Sequence, residues 1–188
     1  MSELLETYQA MQRLVKEESK RISVEEFETV LRDHDKFLQN GGAGGQWRTY
    51  YIKNLIYGVY AGPTSVSEGK QAKLSFKKMA ALDLRGIALP YADCASLHAP
   101  NQEWTAADLE GSLLIDSWLD NCSFESADLY AVDFSRSLMQ NCNFRGASLI
   151  GVDFENCDLR GADFSEAQID ESTSFKNAML ENVKGLDL

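Results

Sequence analysis

The sequence predicts an all-β solenoid preceded by a small, mainly α-helical module, and three observations carry that expectation. From Ala107 to Ile169 the chain repeats every five residues without a break. Residues twenty apart match in type, as in Leu109, Leu129, Leu149 and Ile169, or Phe124, Phe144 and Phe164. Upstream of residue 71 the pattern is instead helical and glycine-rich. A five-residue period is neither the period of two of a strand nor the 3.6 of a helix. It fits a chain that turns a corner every five residues. Four corners then close a coil of twenty residues, and each coil stacks on the last at the strand spacing of ~4.8 Å.

Within each repeat the roles are distinct. The centre is large and apolar and fills the axis, as in Leu114, Leu119, Phe134, Met139, Phe154, Leu159 and Phe164. Two residues earlier the side chain is small, and Ala107, Ala127, Ala147 and Ala167 form one unmixed column. Two residues after the centre, Gly or Asn recurs (Gly111, Asn121, Asn141, Gly146), matching the backbone angles of a tight corner. One residue before it, Asp or Asn recurs (Asp108, Asp128, Asp133, Asn143), and such short side chains bond nearby backbone N–H groups.

The register has two irregularities. One residue is inserted after Ile169, since Thr173-Ser174-Phe175 and Ala178-Met179-Leu180 continue one step late. Upstream, Met79, Leu84 and Leu89 keep the frame, but Ala95 to Trp104 fits poorly around Pro100 and Asn101. Residues 97–104 read as a loop bulging from the first coil, the alternative being a degenerate coil in continuous register.

These repeats resemble the pentapeptide repeat family, A-(D/N)-L-x-x, over roughly residues 72–183. The resemblance implies a right-handed quadrilateral β-helix, here of about five coils spanning 71–188, with residues 1–70 as an N-terminal helical, capping and linker module. His34-Asp35-Lys36-Phe37-Leu38 followed by Gly41-Gly42 and Gly44-Gly45 resembles a lead-in found before many bacterial repeats of this kind.

In that module, Leu4, Leu5, Tyr8, Met11, Leu14 and Val15 predict a helix over 3–19. Ser23-Val24-Glu25-Glu26 is a capping box opening a second helix, whose apolar stripe is Phe27, Val30, Leu31, His34 and Leu38. Asn40-Gly41-Gly42 ends it. The glycines at 41–45 lack the Lys-Ser/Thr of a phosphate loop and read as a connector. Residues 47–60 are aromatic-rich, either a strand pair or a third helix, and are expected to cap the open end of the stack. Residues 63–72 read as a linker.

No catalytic, cofactor or metal constellation emerges. His34 falls on a helix face, and His98 has no Cys-His or Ser-His-Asp logic around it. Cys122, Cys142 and Cys157 occupy small inward positions and, with Cys94, read as buried reduced thiols. Reduced thiols, the absence of a long apolar run and an N-terminus unlike a signal peptide lead to a cytoplasmic expectation without a membrane partner.

The formal charge of −11 is unevenly spread: residues 1–78 carry 12 Lys/Arg against 10 Asp/Glu, and residues 79–188 carry 6 against 19. An acidic solenoid argues against direct nucleic-acid binding and for a protein partner. Two surfaces follow. The first is apolar: Leu113, Ile115, Trp118 and Leu138, rimmed by Asp116, Asp120 and Arg136, the alternative being that the N-terminal module or the 97–104 loop folds back over it. Tyr130 and Ile150 stack on a separate face. The second is an acidic column including Glu110, Asp120, Glu125, Asp128 and Asp153. Along a rod of roughly 24 Å the solenoid carries about one net charge per 2 Å, near the one per ~1.7 Å of duplex DNA. The resemblance makes this an alternative reading, because some family members that protect DNA gyrase are thought to mimic duplex DNA. Those proteins dimerise through a C-terminal helical module. This chain ends Glu181-Asn182-Val183-Lys184-Gly185-Leu186-Asp187-Leu188 with no helix to cap the stack, and if no N-terminal segment reaches that end, a homodimer could form through it.

Overall fold

The computed structural model describes residues 20–39, 46–52, 55–61, 71–79 and 82–186, with side chains described outside 46–61. The expected helix over 3–19, the glycine connector and most of the 63–72 linker lie outside these residues. Elements follow in the order β1 (Lys20–Arg21), α1 (Val24–Gln39), β2 (Gln46–Ile52), β3 (Leu55–Ala61) and β4 (Lys77–Lys78).

The repeat region is a right-handed quadrilateral β-helix, built as the five-residue period requires. One residue per side pairs in parallel with its counterpart in the next coil. One ladder runs Lys73, Asp93, Leu113, Asp133, Asp153, Ser174, and its neighbour runs Lys78, His98, Trp118, Leu138, Asp158, Met179. The spacing is twenty residues up to Ser148↔Gln168 and twenty-one from Asp153↔Ser174 onward, so the inserted residue sits where the sequence placed it. Backbone bonds run along the stack in both directions: Leu109 N–H donates to the Asp128 carbonyl at 2.9 Å, and Asp128 N–H to the Ala107 carbonyl at 2.8 Å.

At the corners the second turn residue takes the left-handed conformation, with φ between 55° and 75° from Tyr91 through Gly185. Asn and Gly hold many of these positions, and Ala131 (φ 55°) and Arg136 (φ 61°) adopt the same angle. Asp and Asn before the centre do what their chemistry suggests. The Oδ1 of Asp108, Asp128, Asp133, Asn143, Asp153 and Asp163 each accepts from the backbone N–H two residues on.

The axis is filled by two aromatic stacks. Trp104, Phe124, Phe144 and Phe164 lie ring over ring at 6.1, 5.4 and 5.0 Å. Phe134, Phe154 and Phe175 do so at 5.5 and 5.2 Å. The two stacks meet edge to face, as Phe144 does with Phe154 at 5.5 Å. Beside them, buried Ser112, Ser117 and Ser137 donate to carbonyls of the coil below, and the thiols of Cys122, Cys142 and Cys157 point the same way at 2.9–3.1 Å. All four cysteines are free and buried. Burial pushes the Cys122 thiol up to about 12 and raises the other three as well, so they remain protonated.

The loop expected at 97–104 is not a loop. His98 pairs with both Lys78 and Trp118, Glu103 pairs with Ser123, and Leu97, Ala99 and Trp104 are fully buried. The motif is hidden because the volumes are exchanged. Leu97 takes the slot normally given to a small residue, Ala99 takes the axial slot, and Trp104 replaces the usual Phe or Leu. The pair Leu97–Ala99 fills about the same space as a small–large pair, so the coil closes in register.

Residues 20–39 cap the first coil. β1 adds as a parallel strand beneath β4, with Lys20 N–H donating to the Phe76 carbonyl and Ile22 N–H to the Lys78 carbonyl. Ser23 caps α1 by accepting from Glu26 N–H at 3.1 Å. The Glu26 carboxylate, which a full capping box would turn back on Ser23, instead pairs with Lys77 at 2.6 Å. The helix buries Phe27, His34 and Phe37, with Ile22 beside them. Phe37 is fully buried and Leu38 only half-buried, so the buried stripe is rotated from the expected one. The aromatic-rich segment is a strand pair rather than a helix: β2 and β3 run antiparallel in the register Trp47↔Tyr60, Thr49↔Gly58, Tyr51↔Ile56. β1 and α1 make capping contacts of the kind expected of that segment.

Candidate interaction faces

The apolar group expected on the outside occupies one corner and the side beyond it. Trp118 lies beneath Leu138 in one ladder, and Leu113 and Ile115 precede it across the corner at Asp116. These side chains are not an exposed patch. Leu113 and Ile115 are each 6% exposed and Leu138 is 1% exposed, which corrects the expectation. Only Trp118 of the four is half-buried, and it is held in place. Its Nε1 donates to Asp120 Oδ2 at 2.7 Å, and its ring meets His98 edge-on at 4.6 Å.

The polar rim is equally committed. Arg136 grips Asp116 through two parallel bonds of 2.7 and 2.9 Å. Asp120 also accepts from Gln140 N–H, whose side chain reaches Asp158 Oδ2 at 2.6 Å. Asp158 is 1% exposed and is clasped by Arg160 at 2.8 and 2.7 Å. Burial raises the Asp120 carboxyl, opposed by its bonds from Gln140 and Trp118. This network was not legible, because Asp158 and Arg160 fall in ordinary repeat positions.

The five acidic residues expected as one column lie on different sides of the coil. Glu110 and Asp128 share a side, while Asp120, Glu125 and Asp153 each belong to another. Each has a bond within the chain: Tyr91 Oη on Glu110, Asn143 Nδ2 on Glu125, and turn N–H groups on Asp128 and Asp153. The carboxylates that do stack are Asp108 on Asp128 and Asp133 on Asp153. Burial and then the neighbouring carboxylate raise Asp108 and Asp133, against the turn bonds that lower them.

Exposed apolar residues of the solenoid lie elsewhere: Phe76 in the first coil, Ile169 near the last turns and, between them, Tyr130. Tyr130 is 48% exposed and Ile150 half-buried above it, beside the small corner residues Gly111, Ala131 and Gly151. Below them the Tyr91 ring lies across Gly111, where a Cβ would come within 2.7 Å of it. Tyr91 Oη reaches Glu110 at 2.8 Å. At 111 that close approach favours glycine, and φ 62° adds the cost any other side chain bears at these corners.

Among the described residues no group of three or more His, Cys, Asp or Glu side chains could hold a metal ion. No described helix is long and apolar enough to cross a membrane.

Comparison with known proteins places the repeats. No curated protein matches the chain. A solved pentapeptide repeat protein from the thylakoid lumen of Arabidopsis thaliana aligns at 25% identity and TM-score 0.43, over 56% of this chain and 69% of its own. HetL, a pentapeptide repeat protein involved in heterocyst differentiation regulation in the cyanobacterium Nostoc sp., aligns at 18% identity and TM-score 0.32, over 61% and 58%. Full-length QnrB1, a plasmid-mediated fluoroquinolone resistance protein, aligns at 14% identity and TM-score 0.25, over 63% and 72%. The family model for the pentapeptide repeat region matches residues 107–184. Residues 107–184 are thus a pentapeptide repeat region, folded into the coils described above.

Proposed function

We propose that this chain is a non-enzymatic protein-interaction module, with the side carrying Tyr130 and Ile150 as its contact surface. The observation that supports it most is the 48% exposure of Tyr130 at a corner, with Ile150 stacked above it. Exposed aromatic and aliphatic side chains stacked on a rigid scaffold mark contact sites. The backbone beneath is locked by bonds above and below, so binding there orders little chain.

Pull-down with wild type and with Tyr130→Ala tests this reading. Tyr130 is half exposed, so the variant should keep the β-sheet circular dichroism of wild type. Captured protein should fall at least tenfold and should survive 0.5 M salt in the wild type, as an apolar contact would. Capture unchanged by Tyr130→Ala removes this side from consideration.

A second reading, mimicry of duplex DNA toward a type II topoisomerase such as gyrase, has one observation in its favour. The stacks Asp108–Asp128 and Asp133–Asp153 hold like charges about one coil rise apart, which is unfavourable unless something else requires them. Their turn bonds supply such a requirement without a partner. A gyrase supercoiling assay at two salt concentrations, with and without a quinolone, discriminates. Inhibition or protection that fades steeply with salt supports mimicry, and no effect at micromolar protein rejects it.

A further inference from the structure

We propose that the junction between α1 and the first coil is an acid-sensitive latch, in which protonation of His34 releases the helix and uncovers the N-terminal end of the solenoid. His34 is 1% exposed and sits in the interface. Its Nδ1 accepts the backbone N–H of Ala72 at 3.0 Å, the bond that joins the middle of α1 to the start of the first coil. Its ring stacks on fully buried Phe37 at 5.4 Å. Nε2 faces the Pro90 carbonyl without reaching good hydrogen-bond geometry.

This geometry admits only the neutral ring with its proton on Nε2. A second proton would have to go on Nδ1, where it would face the Ala72 N–H directly. The bond would be lost, and a cation would stand in an apolar interface. From its own helix the charged group acting on the ring is Asp35. From the first coil the groups that face it are the Ala72 N–H and the Pro90 carbonyl, neither of which titrates. Burial therefore lowers His34 from 6.5 to about 4, with the Pro90 carbonyl and Asp35 opposing it only in part.

The sign follows. With the docked ring depressed, the docked state is fully favoured above about pH 6.5 and loses its advantage as pH falls toward 4. Between pH 7 and pH 5 those two values shift the docking equilibrium about twentyfold toward release. Release would bare Phe27 and Ile22, which share one buried cluster with the first-coil residues Ala72 and Leu74 when docked. The Lys77–Glu26 ion pair also ties α1 to the coil and must be controlled for.

Amide hydrogen exchange on the full chain between pH 7 and pH 5, corrected for intrinsic rates, reads the latch. The Ala72 amide should lose protection about twentyfold, while Phe144 in the central coils keeps its own. In His34→Gln, which keeps an acceptor but no titrating group, Ala72 protection should not depend on pH. Glu26→Gln should leave the pH dependence of wild type intact. Equal loss in His34→Gln and wild type, or no loss in wild type, overturns the latch. If His34→Gln does not fold, the wild-type imidazole titration decides. A ring that titrates near 6.5 while the Ala72 amide stays protected overturns the proposal, and titration well below 6 upholds it.

Discussion

Phe144→Ala should lower the stability of the solenoid by about 3–5 kcal/mol, a large share of the 5–15 kcal/mol typical of a folded domain. Phe144 is fully buried between Phe124 at 5.4 Å and Phe164 at 5.0 Å, and two further rings, Phe134 and Phe154, meet its edges. Truncation removes a ring from all four contacts at once. The coils above and below are fixed by backbone bonds and cannot close the gap. Phe175→Ala is the control. Phe175 lies in the last described turns, is half-buried, and stacks on Phe154 from one side only, so about 1–2 kcal/mol is expected. Denaturant unfolding of both variants gives the comparison. Equal losses would show that position along the stack does not matter, contrary to this reading.

The second large effect concerns a charge. Arg160→Ala should cost about 2 kcal/mol, because it strips the two bonds that clasp the buried Asp158 carboxylate and leaves it only Gln140 and a weak turn bond. The figure is below that of a fully buried pair because the Arg160 side chain is 36% exposed. Asp158 stacks between Leu138 and Met179, so Asp158→Leu combined with Arg160→Ala fits the ladder. The double variant should return to within about 1 kcal/mol of wild type, the pattern expected when the penalty is an orphaned charge. A double variant as unstable as the sum of the singles would contradict that.

Much of the fold was legible because each inward position answers to two constraints at once, the five-residue period and the twenty-residue match. That is why the insertion after Ile169 could be placed within the turn between Gln168 and Ser174. Legibility failed where volume was shared differently, as at Leu97–Ala99 and Trp104, since a pattern of large and small cannot register their exchange. It failed for the outward residues for another reason. Whether Leu113 or Tyr130 meets solvent depends on chain far away in sequence, and both look alike as apolar residues in polar slots. The aspartates illustrate a third limit: residue type revealed their turn bonds but not which side of the coil each would face. In α1 the periodicity was right and its phase was off, because Leu38 and Phe37 compete for the same stripe and the larger ring won.

The direction of the backbone bonds has a mechanical consequence. They run along the length of the rod, each coil holding only the next. Tension applied to the chain end would therefore concentrate on the few bonds that hold the last coil, which would give way before those behind it. The solenoid would peel rather than snap. Each twenty-residue coil set free would add roughly 65 Å of extended chain, at up to ~3.6 Å per residue less the ~4.8 Å it occupied in the stack. A sideways load would be shared across many coils by the aromatic column at the axis. The same rod is thus compliant when its end is pulled and stiff when its flank is pressed, and the flank is where Tyr130 lies.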